Sequence, residues 1–290
     1  MAAKGERDAI TGVETTGHEW DGIRELNNPL PRWWVYTFFA SILFSVVWWV
    51  LYPSWPWSSG YLPGILGRNQ RADFEVRLEQ ARQAQAQWTD RIAAMDAAAI
   101  AADPELAQFA IAGGEQKFKI NCAPCHGLGG AGQGFFPTLA DDDWLWGGSI
   151  EAIEQTIRHG IRNGEDAEAR ENAMPAFGAD GMLDRKQIDE VAQYVLSLTQ
   201  RQTDAAAAEQ GATIFAENCA SCHGDAGEGN RELGGPALND MIWLYGGELD
   251  QIVAQINRPR MGVMPAWQGR LDDTAIKMLT VYVHSLGGGE

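Results

Sequence analysis

A run of apolar residues near the amino terminus is the strongest hydropathy pattern in this chain. The twenty residues from Trp33 to Tyr52 include no charged side chain, and as a helix they would span about 30 Å, the thickness of the hydrocarbon core of a membrane. A cleaved signal peptide would have a shorter apolar region behind a brief basic leader. Tryptophans at both ends are typical of membrane interfaces. The pattern therefore predicts one uncleaved transmembrane helix over 33–52.

The segments on either side of this helix show weaker patterns. Residues 1–32 are polar without a regular apolar period, which predicts a flexible arm. Proline and glycine are frequent over 53–67, which predicts an irregular stretch. A mainly apolar stripe then predicts one long amphipathic helix that ends before Pro104 and packs on the protein's own domains or on another subunit. The stripe comprises Phe74, Leu78, Ala81, Gln85, Trp88, Ile92, Met95 and Ala99.

The remainder of the chain is an internal repeat. Each copy begins with a helix carrying Gly-x-x-x-Phe-x-x-Asn-Cys, at 114–122 and 211–219. Each continues with Trp-Leu-aromatic-Gly-Gly, a middle helix and Met-Pro-Ala-aromatic. Closing helices are predicted over 183–198 and 271–286, and Asp184 with Gln187 forms a capping-box pattern.

These patterns predict an all-α chain in five parts. The parts are an N-terminal arm over 1–32, the transmembrane helix over 33–52, a linker over 53–104, and tandem domains over 105–200 and 201–290. Each tandem domain is too small to form a large core by itself, so a covalently bound cofactor would supply missing apolar mass.

All four cysteines lie in two copies of one motif, Cys122-Ala-Pro-Cys-His126 and Cys219-Ala-Ser-Cys-His223. In a c-type site both thiols bond to the vinyl groups of one haem, and the histidine binds the iron. A zinc site requires more closely spaced pairs, and thioredoxin-like chemistry gives no role to a histidine after both motifs. The motifs predict two c-type haems, one per domain. The predicted attachment and iron-binding residues are Cys122, Cys125, His126, Cys219, Cys222 and His223.

The sixth iron ligand is predicted to be Met174 in the first repeat and Met264 in the second. Both stand in Met-Pro-Ala-aromatic at equivalent positions, and a thioether opposite an imidazole suits one-electron transfer because it leaves no open position. The other candidates are Met182 and His159 in the first repeat and Met261 and His284 in the second. Neither histidine is shared between the repeats, which favours ordinary helix-surface positions for both. The carbonyls of Pro137 and Pro236 are expected to accept the Nδ1 proton of His126 and His223.

The acidic composition limits the range of partners. The formal net charge of −17 argues against nucleic-acid binding, which requires clustered Lys and Arg. Both segments that carry the haem motifs are acidic in their own right, which indicates either steering of a basic partner, such as a lysine-rich soluble cytochrome, or simple solubility.

With an anchor before two class-I-like cytochrome c domains, and with Asp21-Gly-Ile23 leading into Asn27-Asn-Pro-Leu-Pro-Arg-Trp-Trp34, the chain resembles the dihaem subunit III of cbb3-type cytochrome c oxidases. The resemblance implies a non-catalytic subunit that works with a catalytic haem–copper subunit and a monohaem membrane cytochrome. Electrons would come from a cytochrome bc complex or a soluble cytochrome c and reduce oxygen to water in the catalytic subunit.

The implied location is the bacterial inner membrane, with a cytoplasmic amino terminus and periplasmic haem domains. Basic residues precede the apolar helix, as the positive-inside rule expects for this orientation. Haem attachment to such motifs is also expected on the periplasmic side.

Two other functions use similar motifs. One is the cytochrome subunit of a periplasmic dehydrogenase or a free-standing anchored carrier, with the same haem chemistry and different partners. The other is a dihaem peroxidase with one open iron position, which the paired Met-Pro-Ala segments argue against. A gas or redox sensor would need a domain to receive its signal.

Overall fold

The structure is a computed structural model that describes residues 5–289, in two compact units, one running to Ala84 and the other starting at Gln85. The fold is all-α, as predicted, and it also contains two small hairpins that were not predicted. The strands are β1 (Thr15–Trp20), β2 (Ile23–Leu26), β3 (Pro56–Trp57) and β4 (Gly60–Tyr61). The helices of the first half are α1 (Arg32–Leu51), α2 (Gln70–Ala94), α3 (Ala97–Ala102), α4 (Pro104–Asn121) and α5 (Ala123–His126). Those of the second half are α6 (Ile150–His159), α7 (Arg185–Leu198), α8 (Ala205–Asn218), α9 (Ala220–His223), α10 (Leu249–Asn257) and α11 (Asp273–His284).

The first unit contains the apolar helix, and α1 is long and apolar enough to cross a membrane. None of its described side chains is buried, so its apolar surface is available to lipid or to another helix. Its bounds agree with the predicted span to within one residue at each end.

The amino-terminal arm is more ordered than predicted. Strands β1 and β2 pair antiparallel around Asp21 and Gly22, both of which have positive φ. Asp-Gly is a favoured pair for a two-residue hairpin turn, and Glu25 accepts a hydrogen bond of 2.9 Å from the indole of Trp20. The arm predicted over 1–32 therefore contains a hairpin that the sequence analysis did not predict, because a polar exposed hairpin has no apolar period to reveal it.

The linker is two helices rather than the single long helix predicted. Helix α2 ends at Ala94, and Asp96 caps α3 by accepting a hydrogen bond of 2.7 Å from the Ala99 amide. Asp103 similarly caps α4, whose first residue is Pro104. Side chains that can cap helices divide the stripe. Ile92, from its later part, packs together with Ile100 into a core with α4 and α11.

The haem-motif helices pack in an order that differs from the order of the repeats. Helix α4 packs against α11, and α8 packs against α7. The middle helices follow the same exchange, since α6 contacts α11 and α10 contacts α7. We call α4, α5, α6 and α11, with the loop between α5 and α6, module A, and α7, α8, α9 and α10, with the loop between α9 and α10, module B. The predicted sequential division into 105–200 and 201–290 describes the repeats but not these packing units.

Equivalent residues make equivalent contacts in the two modules. In module A the Phe118 ring lies 5.3 Å from that of Tyr282, and in module B the Phe215 ring lies 5.1 Å from that of Tyr194. The closing helix of each repeat therefore packs beside the motif helix of the other repeat. The predicted capping box of α7, formed by Asp184 and Gln187, is confirmed.

Candidate haem sites

The first motif lies at the junction of α4 and α5. Cys122 ends α4, and the single turn of α5 carries His126. The His126 Nδ1 atom is 3.1 Å from the Pro137 carbonyl oxygen, which confirms the predicted contact. This bond fixes the ring and leaves Nε2 as the nitrogen that can bind iron.

The second motif has the same geometry. Cys219 ends α8, α9 carries His223, and the His223 Nδ1 atom is 2.9 Å from the Pro236 carbonyl oxygen. Gly235 lies so close to the Cys222 carbonyl that any β-carbon would collide with it. The second predicted contact is thus also confirmed, and it depends on a glycine directly before the proline.

A glycine-rich loop holds each proline carbonyl against its histidine. In module A the amide of Gly132 donates to the His126 carbonyl at 2.7 Å, and the amide of Leu139 donates to Gly130. In module B the amide of Gly229 donates to the His223 carbonyl at 2.7 Å. Because the same backbone hydrogen bond to the histidine carbonyl occurs in both modules, we infer that the loop sets the orientation of each imidazole.

The site electrostatics favour neutral ligands. Burial lowers the pKa of both His126 and His223, against the opposing effect of the proline carbonyl. Burial, followed by the neighbouring motif cysteine, raises the pKa of Cys122 and Cys219 to about 11. None of the four cysteines forms a disulfide, so the motifs can offer their sulfurs for haem attachment and uncharged imidazoles for iron.

The two predicted methionines lie in the opposite modules from those expected. Met264 packs on the module A core, as do Cys122 and Trp144, and its amide donates a hydrogen bond of 3.0 Å to the Ile161 carbonyl. Met174 packs on the module B core with Cys219 and Trp243. The sequence-based expectation paired each methionine with the motif of its own repeat.

Backbone bonds support this exchange. The Trp267 amide, from the Met264 segment, donates to the carbonyls of Ile157 and Arg158 on α6. The Ala179 amide, from the Met174 segment, donates to the Asn257 carbonyl at the end of α10. Each methionine segment is therefore attached to the middle helix of the other repeat.

The alternative ligands are less suitable. Met182 and Met261 are 54% and 41% exposed. The Nδ1 of His159 is 3.1 Å from Asp166 and its Nε2 is 3.3 Å from Glu168, so both ring nitrogens are engaged. The side chain of His159 is only 12% exposed, which corrects the expectation of a surface histidine. His284 is half-buried in the last turn of α11.

The residues present fit a haem in each module. Each has two thiols, an oriented neutral imidazole and an apolar cluster that includes a methionine. In module B the indole Nε1 of Trp243 is buried without an acceptor among the described residues, whereas the equivalent Trp144 donates to the Gly288 carbonyl. An unused buried donor of this kind suits a carboxylate of a haem.

Two arginines near the sites were not predicted from the sequence. Arg170 lies over the ring of Trp146 at 5.2 Å, and Arg260 lies over Tyr245 at 5.4 Å and over Phe135 at 4.7 Å. Both stand four residues before a predicted ligand methionine, and both cover the aromatic residue of Trp-Leu-aromatic-Gly-Gly. Their equal offset from the methionine was a signal that could have identified them.

Comparisons with known proteins identify the family of the chain. Residues 12–59 match the family described as the N-terminal domain of cytochrome oxidase-cbb3, FixP. Residues 109–195 and 206–283 match the family described as cytochrome c oxidase, cbb3-type, subunit III. The amino-terminal match includes the β1–β2 hairpin and α1, and the two later matches contain the two haem motifs.

Curated relatives resemble the chain over essentially its whole length. The cbb3-type cytochrome c oxidase subunit FixP of Sinorhizobium medicae is 53% identical and covers 98% of this chain and 97% of its own length. The CcoP subunits of Azospirillum brasilense and Cereibacter sphaeroides are 52% and 49% identical, each over 100% of both chains. Two family matches over most of the chain and full-length relatives near half identity lead to one conclusion: this chain belongs to the cbb3-type cytochrome c oxidase subunit III family, FixP/CcoP.

Proposed function

We propose that the chain is the dihaem electron-transfer subunit of a cbb3-type oxidase, and that it relays electrons to the catalytic subunit that reduces oxygen. The observation that carries the proposal is the repeated site, in which a histidine follows two cysteines. The Nδ1 atom of this histidine lies 3.1 Å from a proline carbonyl oxygen in module A and 2.9 Å from one in module B. Full-length relatives that are named as oxidase subunits support the same function.

Each module would hold one haem through its own residues. Cys122 and Cys125 would attach the first haem, and Cys219 and Cys222 the second. A c-type haem supplies a one-electron iron couple whose potential a methionine ligand raises. The exchanged packing supports His126 with Met264 in module A and His223 with Met174 in module B.

The chain's own residues would keep this chemistry restricted to electron transfer. A neutral imidazole and a thioether together leave no coordination position for peroxide or another substrate. The apolar cluster on which each methionine packs would also limit the access of water from that side. A dehydrogenase subunit would use the same residues, but the relatives' names favour the oxidase.

The proposed partners are a catalytic haem–copper subunit and a monohaem cytochrome c subunit. The donor would be a cytochrome bc complex or a basic soluble cytochrome c. Helix α1 would cross the bacterial inner membrane once, with the amino terminus in the cytoplasm and both modules in the periplasm. Its exposed apolar surface supports a membrane position, and the basic residues before it support this orientation.

Removing either cysteine pair tests the function. We expect Cys122→Ser with Cys125→Ser, and separately Cys219→Ser with Cys222→Ser, each to remove one of two covalent haems, because thioether bonds need the thiols. Haem per chain would be measured on denatured protein after acid–acetone extraction. Detergent-purified complex should contain a haem–copper subunit, and its oxygen consumption from a cytochrome donor should fall steeply in both variants.

Two results would contradict this function. The first is copurification with a flavin or quinone dehydrogenase instead of a haem–copper subunit. The second is turnover of hydrogen peroxide by a five-coordinate haem of the unmodified protein.

The acidic charge predicts a salt effect on the donor reaction. Because opposite charges steer association and salt screens them, we expect reduction by a lysine-rich cytochrome c to slow by at least about tenfold between low salt and roughly 0.5 M salt. Stopped-flow mixing would measure the rate. An uncharged small-molecule reductant serves as control and should show little change, while a cytochrome rate indifferent to salt would rule out steering.

A further inference from the structure

The chain crosses between the two modules directly before each methionine. Arg170 is still bound to module A, where its Nε donates to Thr156 on α6 at 3.0 Å, and two residues later the Asn172 side chain donates to the Leu233 carbonyl in module B. In the other direction, Arg260 donates to the Tyr245 carbonyl of module B at 3.3 Å. We call residues 171–173 and 261–263 the crossing segments.

One arginine is bonded to both crossing segments. The Nε of Arg162 donates to the Gly262 carbonyl at 2.9 Å, and its Nη1 donates to the Asn172 carbonyl at 2.9 Å. Each acceptor stands two residues before a methionine, Met264 in one case and Met174 in the other. The guanidinium therefore binds equivalent atoms of the two repeats at the same time.

The backbone around Arg162 is fixed independently of its side chain. Its φ is +48°, and its amide donates to the Arg170 carbonyl at 2.8 Å. The preceding residue, Ile161, exchanges backbone hydrogen bonds with Met264 in both directions at 3.0 Å. Held in this way, the guanidinium can restrain two otherwise separate segments.

A guanidinium is suited to this task because its donors form a rigid planar fork. Lysine carries the same charge on a single flexible ammonium group and cannot reproduce two fixed directions. Hydrogen bonds from a charged donor are also among the stronger ones in proteins. Each carbonyl is only two residues from its methionine, so a restraint on the carbonyl also limits the movement of the methionine.

We propose that Arg162 is a positioning residue shared by both axial methionines, and that it couples the retention of Met174 in module B to that of Met264 in module A. The inference rests on the proposed function, since it takes these two methionines as iron ligands. The repeat itself contains no second such residue at this position, because Arg162 belongs to the longer segment between middle helix and methionine that the first repeat has and the second lacks.

The test is Arg162→Gln in the full-length chain within the purified oxidase. We expect the methionine-to-iron charge-transfer band in the near-red spectrum of the oxidised c-type haems to weaken for both haems. We also expect added imidazole to bind both haems at least about tenfold more tightly, because a methionine held less firmly is displaced more easily, and a tenfold change corresponds to about 1.4 kcal/mol. Arg162→Lys should behave like Arg162→Gln, because it keeps the charge but not the fork.

Arg258→Gln is the matched control, since it removes the same charge from an exposed residue near the same crossing segment and should leave both measurements unchanged. Met174→Ala and Met264→Ala calibrate the band. If neither of those variants loses it, the ligand assignment fails. If both methionine variants lose the band but Arg162→Gln binds imidazole as the unmodified protein does, the shared positioning role is overturned and the ligand assignment stands. The same conclusion follows if Arg162→Gln changes only one haem.

Discussion

Met264→Ala is expected to remove the methionine ligand from the haem at Cys122 and Cys125, although Met264 belongs to the second repeat. Met264 and Cys122 pack on the same core, which includes Phe118 and Ala123, and the Met264 backbone pairs with Ile161 after α6. Axial ligands set haem potentials over a range of about 0.8 V. We therefore expect the potential of that haem to fall by more than roughly 0.1 V.

A chain that keeps only one haem identifies which site is affected. In the Cys219→Ser, Cys222→Ser variant only the first motif can attach haem, so a redox titration and the near-red methionine band report on that haem alone. Here Met264→Ala should abolish the band and Met174→Ala should preserve it. The reciprocal variant, lacking Cys122 and Cys125, should show the opposite response.

Met182→Ala is the control for these titrations, because Met182 is 54% exposed and should leave both haems unchanged. If each methionine instead bound the haem of its own repeat, every single-haem variant would give the opposite result. Loss of the band on Met174→Ala in the chain with only the first motif would therefore refute the exchanged pairing.

The second large effect is expected from Gly114→Ala, where α4 crosses α11. A β-carbon on Gly114 would collide with the Met278 carbonyl and lie 2.7 Å from the Tyr282 β-carbon. Backbone cannot rotate away as a side chain can, so the helices must separate. Overpacking of this kind typically costs about 1–3 kcal/mol, and we expect a loss of that size in the free energy of unfolding.

Gly113 provides a matched control one residue earlier in the same helix. The three atoms nearest to a β-carbon there all belong to the Met278 side chain, with the sulfur at 2.8 Å, and a flexible thioether can move. Because alanine is preferred to glycine in helices by up to about 1 kcal/mol, Gly113→Ala should be nearly neutral or stabilising. Thermal unfolding of the haem-loaded chain, followed by circular dichroism, would compare the two.

Glycine substitutions at these helix contacts also test the exchanged packing of α7 and α11. In module B, Gly211 meets the Glu190 backbone and Tyr194 on α7 in the same way, so Gly211→Ala should be equally harmful. Equal unfolding free energies for Gly113→Ala and Gly114→Ala would show that α4 does not approach α11 as described.

Much of the local structure could be predicted from sequence because it depends on nearby residues. The apolar run predicted α1 to within a residue, and Asp184 with Gln187 predicted the start of α7. The contacts from Pro137 and Pro236 to the histidines were also predictable. In each case the partners are close in the chain, and the interaction is set by short-range geometry.

Other local features were missed because their signal lay outside apolar periodicity. The hairpin around Asp21 and Gly22 is exposed, so only its turn pair marks it. The break between α2 and α3 depends on a single capping side chain, Asp96. A stripe that continues on both sides of such a cap resembles one uninterrupted helix.

The sequence by itself determined the chemistry of this protein: two cysteine pairs with their histidines, two methionine segments, and a membrane-length helix. Only the tertiary structure decided which methionine packs on the core of which haem motif. The reason is that α7 and α11 carry the same pattern of apolar residues and an equivalent tyrosine, so the faces at Gly114 and Gly211 could accept either helix. Contacts distant in sequence make the choice, among them Ile161 with Met264 and Arg162 with both crossing segments, and repeated local patterns do not encode such pairings.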